Sequence, residues 1–155
     1  MNQITITSLI KQNKQVRLKA KEDSMIWIDS DHWTPDMGSD WTYLLFDIFQ
    51  IRGIAVPFSE VSLDIVEFAS KPTIYQSPVN PMLVSAPVQD GQIKFTLIRD
   101  PFWNKILFQI GRPVLAKSIS NESVDFEFDQ AFPLFFKEVK RLYLGPEGEV
   151  KILKS

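Results

Sequence analysis

Asp29, Asp31, Asp36 and Asp40 share one short stretch with His32, the only histidine of the 155-residue chain. Carboxylates at that density are the oxygen donors a hard cation such as magnesium or calcium takes. The spacing does not follow the Asp-x-Asp-x-Asp-Gly order of a calcium loop. Aspartate mixed with Ser, Pro and Gly is also the chemistry of turns and helix caps, and that is the preferred reading of "DSDHWTPDMGSD". His32 stands beside Trp33 with no serine nucleophile pattern to serve, and reads as a surface or packing residue. The lack of cysteine excludes disulfides, thiolate catalysis and cysteine-held zinc. A single histidine excludes a histidine-rich metal centre.

A second group is basic. "KQNKQVRLKAK" carries Lys11, Lys14, Arg17, Lys19 and Lys21. On a strand, Arg17, Lys19 and Lys21 project to one face, opposite Val16 and Leu18. Such a row can meet phosphates, but a solvated sheet face is its commoner use. Trp33 and Trp103 flank polar segments and are the tryptophans best placed for base stacking. Most of the four tryptophans and twelve phenylalanines belong in a core. No GxxxxGK[ST], GxGxxG or GxSxG motif occurs. The formal charge of −2 and pI near 5.4 give no overall basic footprint of a dedicated nucleic-acid binder. A local basic patch depends on arrangement rather than on the sum.

These groups need a scaffold, and 155 residues with 45% hydrophobic content suit a single domain, 1–155, with a real core. No apolar run approaches the roughly 20 residues of a membrane helix. "MNQITITSLIKQNK" lacks the apolar centre of a signal peptide, so a cytoplasmic location is expected. "SLIKQNK" reads as a short helix capped by Ser8, and "QVRLKA" and "SMIWIDS" as strands. The strongest helix pattern is "SDWTYLLFDIFQIRG", with Trp41, Leu44, Leu45, Ile48 and Phe49 on one face and Gly53 at its end. "IAVPF" follows as a strand, "SEVSLDIVEFASKP" as a helix capped by Ser59 or Ser62, and "TIYQS" as a strand, with an edge strand at 82–85. "QIKFTLIRD" is the strongest strand, with Ile93, Phe95 and Leu97 on one face. "DPFWNKILFQIG" opens on proline and closes on glycine, and "RPVLAKS" leads into a strand. Residues 129–144 read as partly helical and "GEVKILK" as a last strand. Alternating helices and strands predict an α/β fold with a twisted mixed sheet and flanking helices, the 93–98 and 113–117 runs being neighbours in it.

"FTLIRDPFWNKILFQIGRPVLAKSISN" resembles a segment of the YrdC-like family, the threonylcarbamoyl-adenylate synthases. That segment has a strand, an Asp-x-Pro-like turn, a helix, Gly-(Arg/Lys)-Pro, a strand and Ser-x-Asn. Ser118 takes the serine's place, and the asparagine comes one position late, as Ser-Ile-Ser-Asn. "IFQIRGIAVPF" resembles the family's Ile-Phe-x-x-Lys-Gly-Arg-Pro, with Arg52-Gly53 for Lys-Gly and Ile54 for the arginine. "MIWIDSDHW" stands where the family has a strand and a Pro-Thr-Asp-Thr-Val-Tyr-Gly loop, and "GEVKILK" resembles its closing strand. The resemblance spans residues 16–153. It implies a YrdC-like fold with a concave, positively charged surface that binds ATP and, in some members, RNA. The family's synthases condense threonine, bicarbonate and ATP into threonylcarbamoyl-adenylate for tRNA modification. ATP and magnesium are the cofactors if that activity is retained.

The resemblance implies Arg52, Lys117, Ser118, Ser120 and Asn121 as ligand contacts. It assigns no catalytic residue. Such chemistry needs cations facing a triphosphate, and Ile54 in place of one cation, with the rewritten Thr-Asp-Thr loop, points to impaired catalysis. The expectation is a divergent YrdC-like domain that binds a nucleotide, ATP, or RNA. The alternative is a non-enzymatic interaction module whose site has decayed and which associates through apolar surface around the proline-rich 78–87 segment.

Overall fold

The computed structural model describes residues 2–120, 123–134 and 139–154, with side chains from Ile6 onward. In chain order the elements are α1 (Asn2–Asn13), β1 (Gln15–Ala20), β2 (Asp23–Asp29), β3 (Thr42–Leu45), α2 (Ile51–Ile54), α3 (Glu60–Glu67), β4 (Thr73–Pro78), β5 (Gln92–Leu97), α4 (Pro101–Ile110), β6 (Val114–Ser118), β7 (Phe126–Phe128), β8 (Lys140–Leu144) and β9 (Val150–Lys154). The nine strands form one sheet in the order β7-β1-β2-β6-β3-β5-β4-β8-β9. It is mixed: β3/β5, β4/β8 and β1/β7 pair parallel and the other pairs antiparallel. The expected α/β mixed sheet is therefore present.

Strand alternation divides the core in two. Met25, Trp27, Leu44, Ile74, Val114 and Ala116 pack on one face with Ile6 and Ile10 of α1 and Trp103, Ile106, Leu107 and Ile110 of α4. Ile28, Tyr43, Tyr75, Phe95 and Leu115 pack on the other with Ile51 and Ile54 of α2 and Val66 of α3. Helices thus flank both faces. The α4 boundaries follow local chemistry. The Asp100 carboxylate accepts from the Phe102 and Trp103 amides at 3.0 and 3.3 Å, Pro101 occupies the first turn, and Gly111 ends the helix at φ 75°.

Several expectations need correction. The first helix begins at Asn2, so Ser8 lies inside α1 and does not cap it. The 39–53 helix is instead β3 followed by a 3₁₀ turn (Ile48–Gln50) and the short α2. All four β3 residues are buried, so the strand shows no polar alternation, and its apolar run imitates helical spacing. The 93–98 and 113–117 strands are not neighbours, because β3 lies between them, with Tyr43 opposite both Phe95 and Leu115. "IAVPF" makes only an isolated bridge between Ala55 and Val79, and 82–85 forms no strand. No helix occurs among the described residues of 129–144, where β8 forms instead; 135–138 lie outside them.

Trp33 and Trp103 are both buried, and their ring nitrogens donate to Gly38 O and Ala131 O, each at 2.8 Å. Trp103 spends its ring against Trp27, Phe102, Phe128 and Phe132. Neither ring is a platform for a base. Among the described residues no helix is long and apolar enough to cross a membrane.

Candidate phosphate-binding cavity

The sheet face that α1 and α4 cover at its centre is open toward β8. There, residues of five adjacent strands and their flanking loops border a cavity of about 520 Å³. Register explains who meets there. Tyr43 lies beside Phe95, so Thr42 stands next to Lys94; Thr42 is paired with Ala116, and Ile74 with Arg141. Asp40 precedes β3 by an even step from Thr42 and shares its face. Ser118 and Ser120 continue β6 outward along the same rim.

Electrostatics concentrate around Asp40. The Lys94 ammonium donates to its carboxylate at 2.8 Å, and the lysine side chain is 13% exposed where the aspartate is 82% exposed. The hydrogen bond from Lys94 holds the Asp40 carboxyl below its ordinary range; partial burial opposes the shift, and the charges of Lys94, Lys117 and Arg141 reinforce it. Arg141 is half-buried, and its Nε is fully enclosed with no hydrogen-bond partner. A buried donor left unpaired costs free energy, and an arginine fork matches a phosphate or carboxylate.

The sequence-based contacts divide. Lys117, Ser118 and Ser120 line this cavity. Lys117 pairs with Ile26, on the sheet face opposite Ser118, and its Nζ lies 5.5 Å from the centroid of the Trp41 ring. Its charge reaches Asp40, but its ammonium is already engaged by a cation–π contact. Asn121 lies outside the described residues. Arg52 sits on α2, exposed, and is not among the residues bordering this cavity. Its neighbours Gly53 and Ile54 border another cavity, of about 390 Å³, with Asp31, Tyr43 and Arg112. Ile54 is buried under the sheet as a core residue.

The acidic stretch acts mainly locally. Asp29 accepts from the Asp31 amide at 3.0 Å and capping chemistry follows, while Arg112 bridges Asp29 at 3.2 Å and also pairs with Asp31. Asp36 accepts from Thr34. Among the described residues no three His, Asp or Glu side chains form a metal-binding group. Among the described residues Asp40 is the only carboxylate lining the larger cavity, and it is held by Lys94.

Sequence reading missed Lys94 and Arg141, and it named Asp40 only as part of the acidic stretch, not as a partner of Lys94. The available signal was Lys94 in "QIKFTL", a cation between buried Ile93 and Phe95 in a central strand. Nothing in "KRLYL" marks Arg141 as facing it across β4.

The sequence matches no family model and no curated protein. The structure resembles solved structures. Sua5 of P. abyssi superposes with a TM-score of 0.71 at 11% identity, over 98% of this chain and 52% of that one. HypF, in a structure described as phosphate- and nucleotide-bound, gives 0.70 at 10% identity, over 98% and 28%. E. coli YciO gives 0.68 at 12% identity, over 99% and 89%. The fold is YrdC-like. This chain spans about half of the Sua5 chain and under a third of HypF.

Proposed function

We propose that this YrdC-like domain binds the phosphate-bearing part of a nucleotide in the cavity between Asp40, Lys94, Ser118 and Arg141, without carrying out adenylate synthesis. The observation that carries this reading is the meeting of three cations, Lys94, Lys117 and Arg141, with the serines Ser118 and Ser120 around one cavity. A guanidinium and an ammonium bordering one cavity suit a phosphate, and removal from bulk water strengthens such bonds. The volume lies within the usual range for small-molecule sites, roughly 300–1,000 Å³. HypF, of which the matching fold is 28%, is described as phosphate- and nucleotide-bound, and that description supports the reading.

Calorimetric titration with ATP at two ionic strengths tests the reading. The expected result is weak, salt-sensitive binding, lost in Arg141→Met. Ser118→Ala weakens binding and leaves the salt dependence unchanged, since it removes a neutral contact. Arg52→Ala weakens it only if the ligand extends to α2. Threonine, bicarbonate and ATP incubated with the protein yield no threonylcarbamoyl-adenylate. Absence of nucleotide binding by the folded protein, with binding of RNA, makes RNA the ligand. Absence of both leaves the interaction module, for which Met82 and Val84, 83% and 100% exposed in the 78–87 segment, offer the apolar surface.

A further inference from the structure

Another cavity, of about 470 Å³, lies where β5 ends and β4 begins, and it shares no lining residue with the phosphate cavity. Register places it. Tyr75 lies opposite Phe95 in the antiparallel β4/β5 pair, so Thr73 and Leu97 meet at that end. Residues 68–72, which follow α3, border it together with Arg99 and Asp100. The lining includes three hydroxyl-bearing side chains at buried positions, Thr73, Tyr75 and Thr96. Thr73 donates to Lys71 O at 3.0 Å and is hydrogen-bonded to Tyr75 through their side chains. Burial raises the Tyr75 pKa, and the charge of Arg99 opposes that shift, so the guanidinium lies near the phenol. Arg99 also donates to Glu67 O, which anchors the guanidinium at the end of α3 and leaves its other donors for a ligand. Among the described residues neither Lys71 nor Arg99 forms an ion pair with a carboxylate.

We propose that this cavity is a second ligand site, independent of nucleotide binding, and that it takes a small monocarboxylate with an apolar, ring-sized body. Charge selects the head group. The lining carries two cations, Lys71 and Arg99, and one carboxylate, Asp100, which accepts from the Phe102 and Trp103 amides at 3.0 and 3.3 Å. The surplus is one positive charge, which a monoanion matches; a second negative charge meets Asp100 with no further cation to offset it. A guanidinium fork fits a carboxylate with two parallel hydrogen bonds. Val66, Phe68 and Leu97 give the body its apolar surface, and Phe68 is 76% exposed at the border. A ligand that covers it removes apolar surface from water. The volume lies within the usual range for small-molecule sites, roughly 300–1,000 Å³.

The test is a titration of the ¹⁵N-labelled protein followed by its amide resonances, with benzoate, benzamide, acetate and phenyl phosphate as probes near neutral pH. Benzoate is expected to shift the Thr73, Arg99 and Asp100 amides and to saturate at millimolar concentration. Benzamide keeps the shape without the charge, acetate the charge without the body, and each should bind at least about tenfold more weakly. Phenyl phosphate, with its second charge, should bind no more tightly than benzoate. Lys71→Ala and Arg99→Gln should each weaken benzoate by about three- to tenfold; the glutamine keeps a donor for Glu67 O, and the spectrum itself reports whether each variant is folded. Arg141→Met, at the other cavity, should leave benzoate binding unchanged. The proposal is overturned if benzoate gives no saturable shift at on the order of 10 mM, if its shifts map away from this cavity, or if benzamide binds equally well. Tighter binding of phenyl phosphate overturns it too, by making the site one for phosphate.

Discussion

Individual residues carry the site's energetics through pairs that cross the sheet. Asp40 and Lys94 are 54 positions apart and meet at 2.8 Å. The Asp40 pKa is lowered, chiefly by the Lys94 hydrogen bond, so the folded state binds this proton less readily than the unfolded chain. Stability from the pair is therefore present above the ordinary carboxylate pKa and lost as pH falls through the lowered one. Asp40→Asn is expected to lower the urea midpoint slightly at neutral pH, and the two midpoints should converge in acid, below 3.8. A difference that persists unchanged to the acid limit would show that the charge is not its source. Buried hydroxyls make a separate case. Ser77 donates to Leu144 O at 2.7 Å from a fully buried position. Ser77→Ala should cost about 1 kcal/mol, the net worth of a typical buried hydrogen bond.

At the scale of elements, α4 shows how composition and punctuation build a helix. Ile106 is fully buried against α1 and the sheet, whereas Lys105 is exposed. Ile106→Ala is expected to cost about 2–5 kcal/mol, since truncation adds a cavity to the lost transfer energy. Lys105→Ala should stay within about 0.5 kcal/mol. Denaturation midpoints decide, and equal midpoints would place the wrong face of the helix in the core. The cap is a distinct contribution. Asp100→Ala removes the acceptor for two amides and should cost about 0.5–2 kcal/mol. Asp100→Asn, which keeps a capping oxygen, should recover most of it.

Across the whole molecule, burial is uneven along the sheet. The central strands β6, β3 and β5 sit under helices on both faces, whereas all five residues of β9 at the edge are exposed. Local opening free energies follow that difference. Hydrogen exchange should therefore be slowest in Thr42–Leu45 and Val114–Ala116 and fastest, among the strands, in Val150–Lys154. Protection of β9 equal to that of β3 would mean that another surface covers this edge. The open region bordered by Arg141 lies between these extremes, on the strands between the covered centre and the exposed edge.

Local sequence determined what depends on neighbours in the chain. Pro101 and Gly111 bounded α4, Asp100 and Ser59 capped α4 and α3, and the alternation of "QIKFTL" placed β5. The order of the Gly-Arg-Pro and Ser-Ile-Ser-Asn segments was enough to indicate a YrdC-like fold, because those motifs mark successive elements of one topology. Only the tertiary structure decided that β3 enters between β5 and β6, since a strand buried on both faces carries no alternation to distinguish it from a helix. It also decided the cavity. Asp40, Lys94 and Arg141 come from three strands or their approaches, and cross-strand register, set by packing across the whole sheet, brings them together. Spacing along a chain records periodicity within an element, and it holds no record of which elements become neighbours.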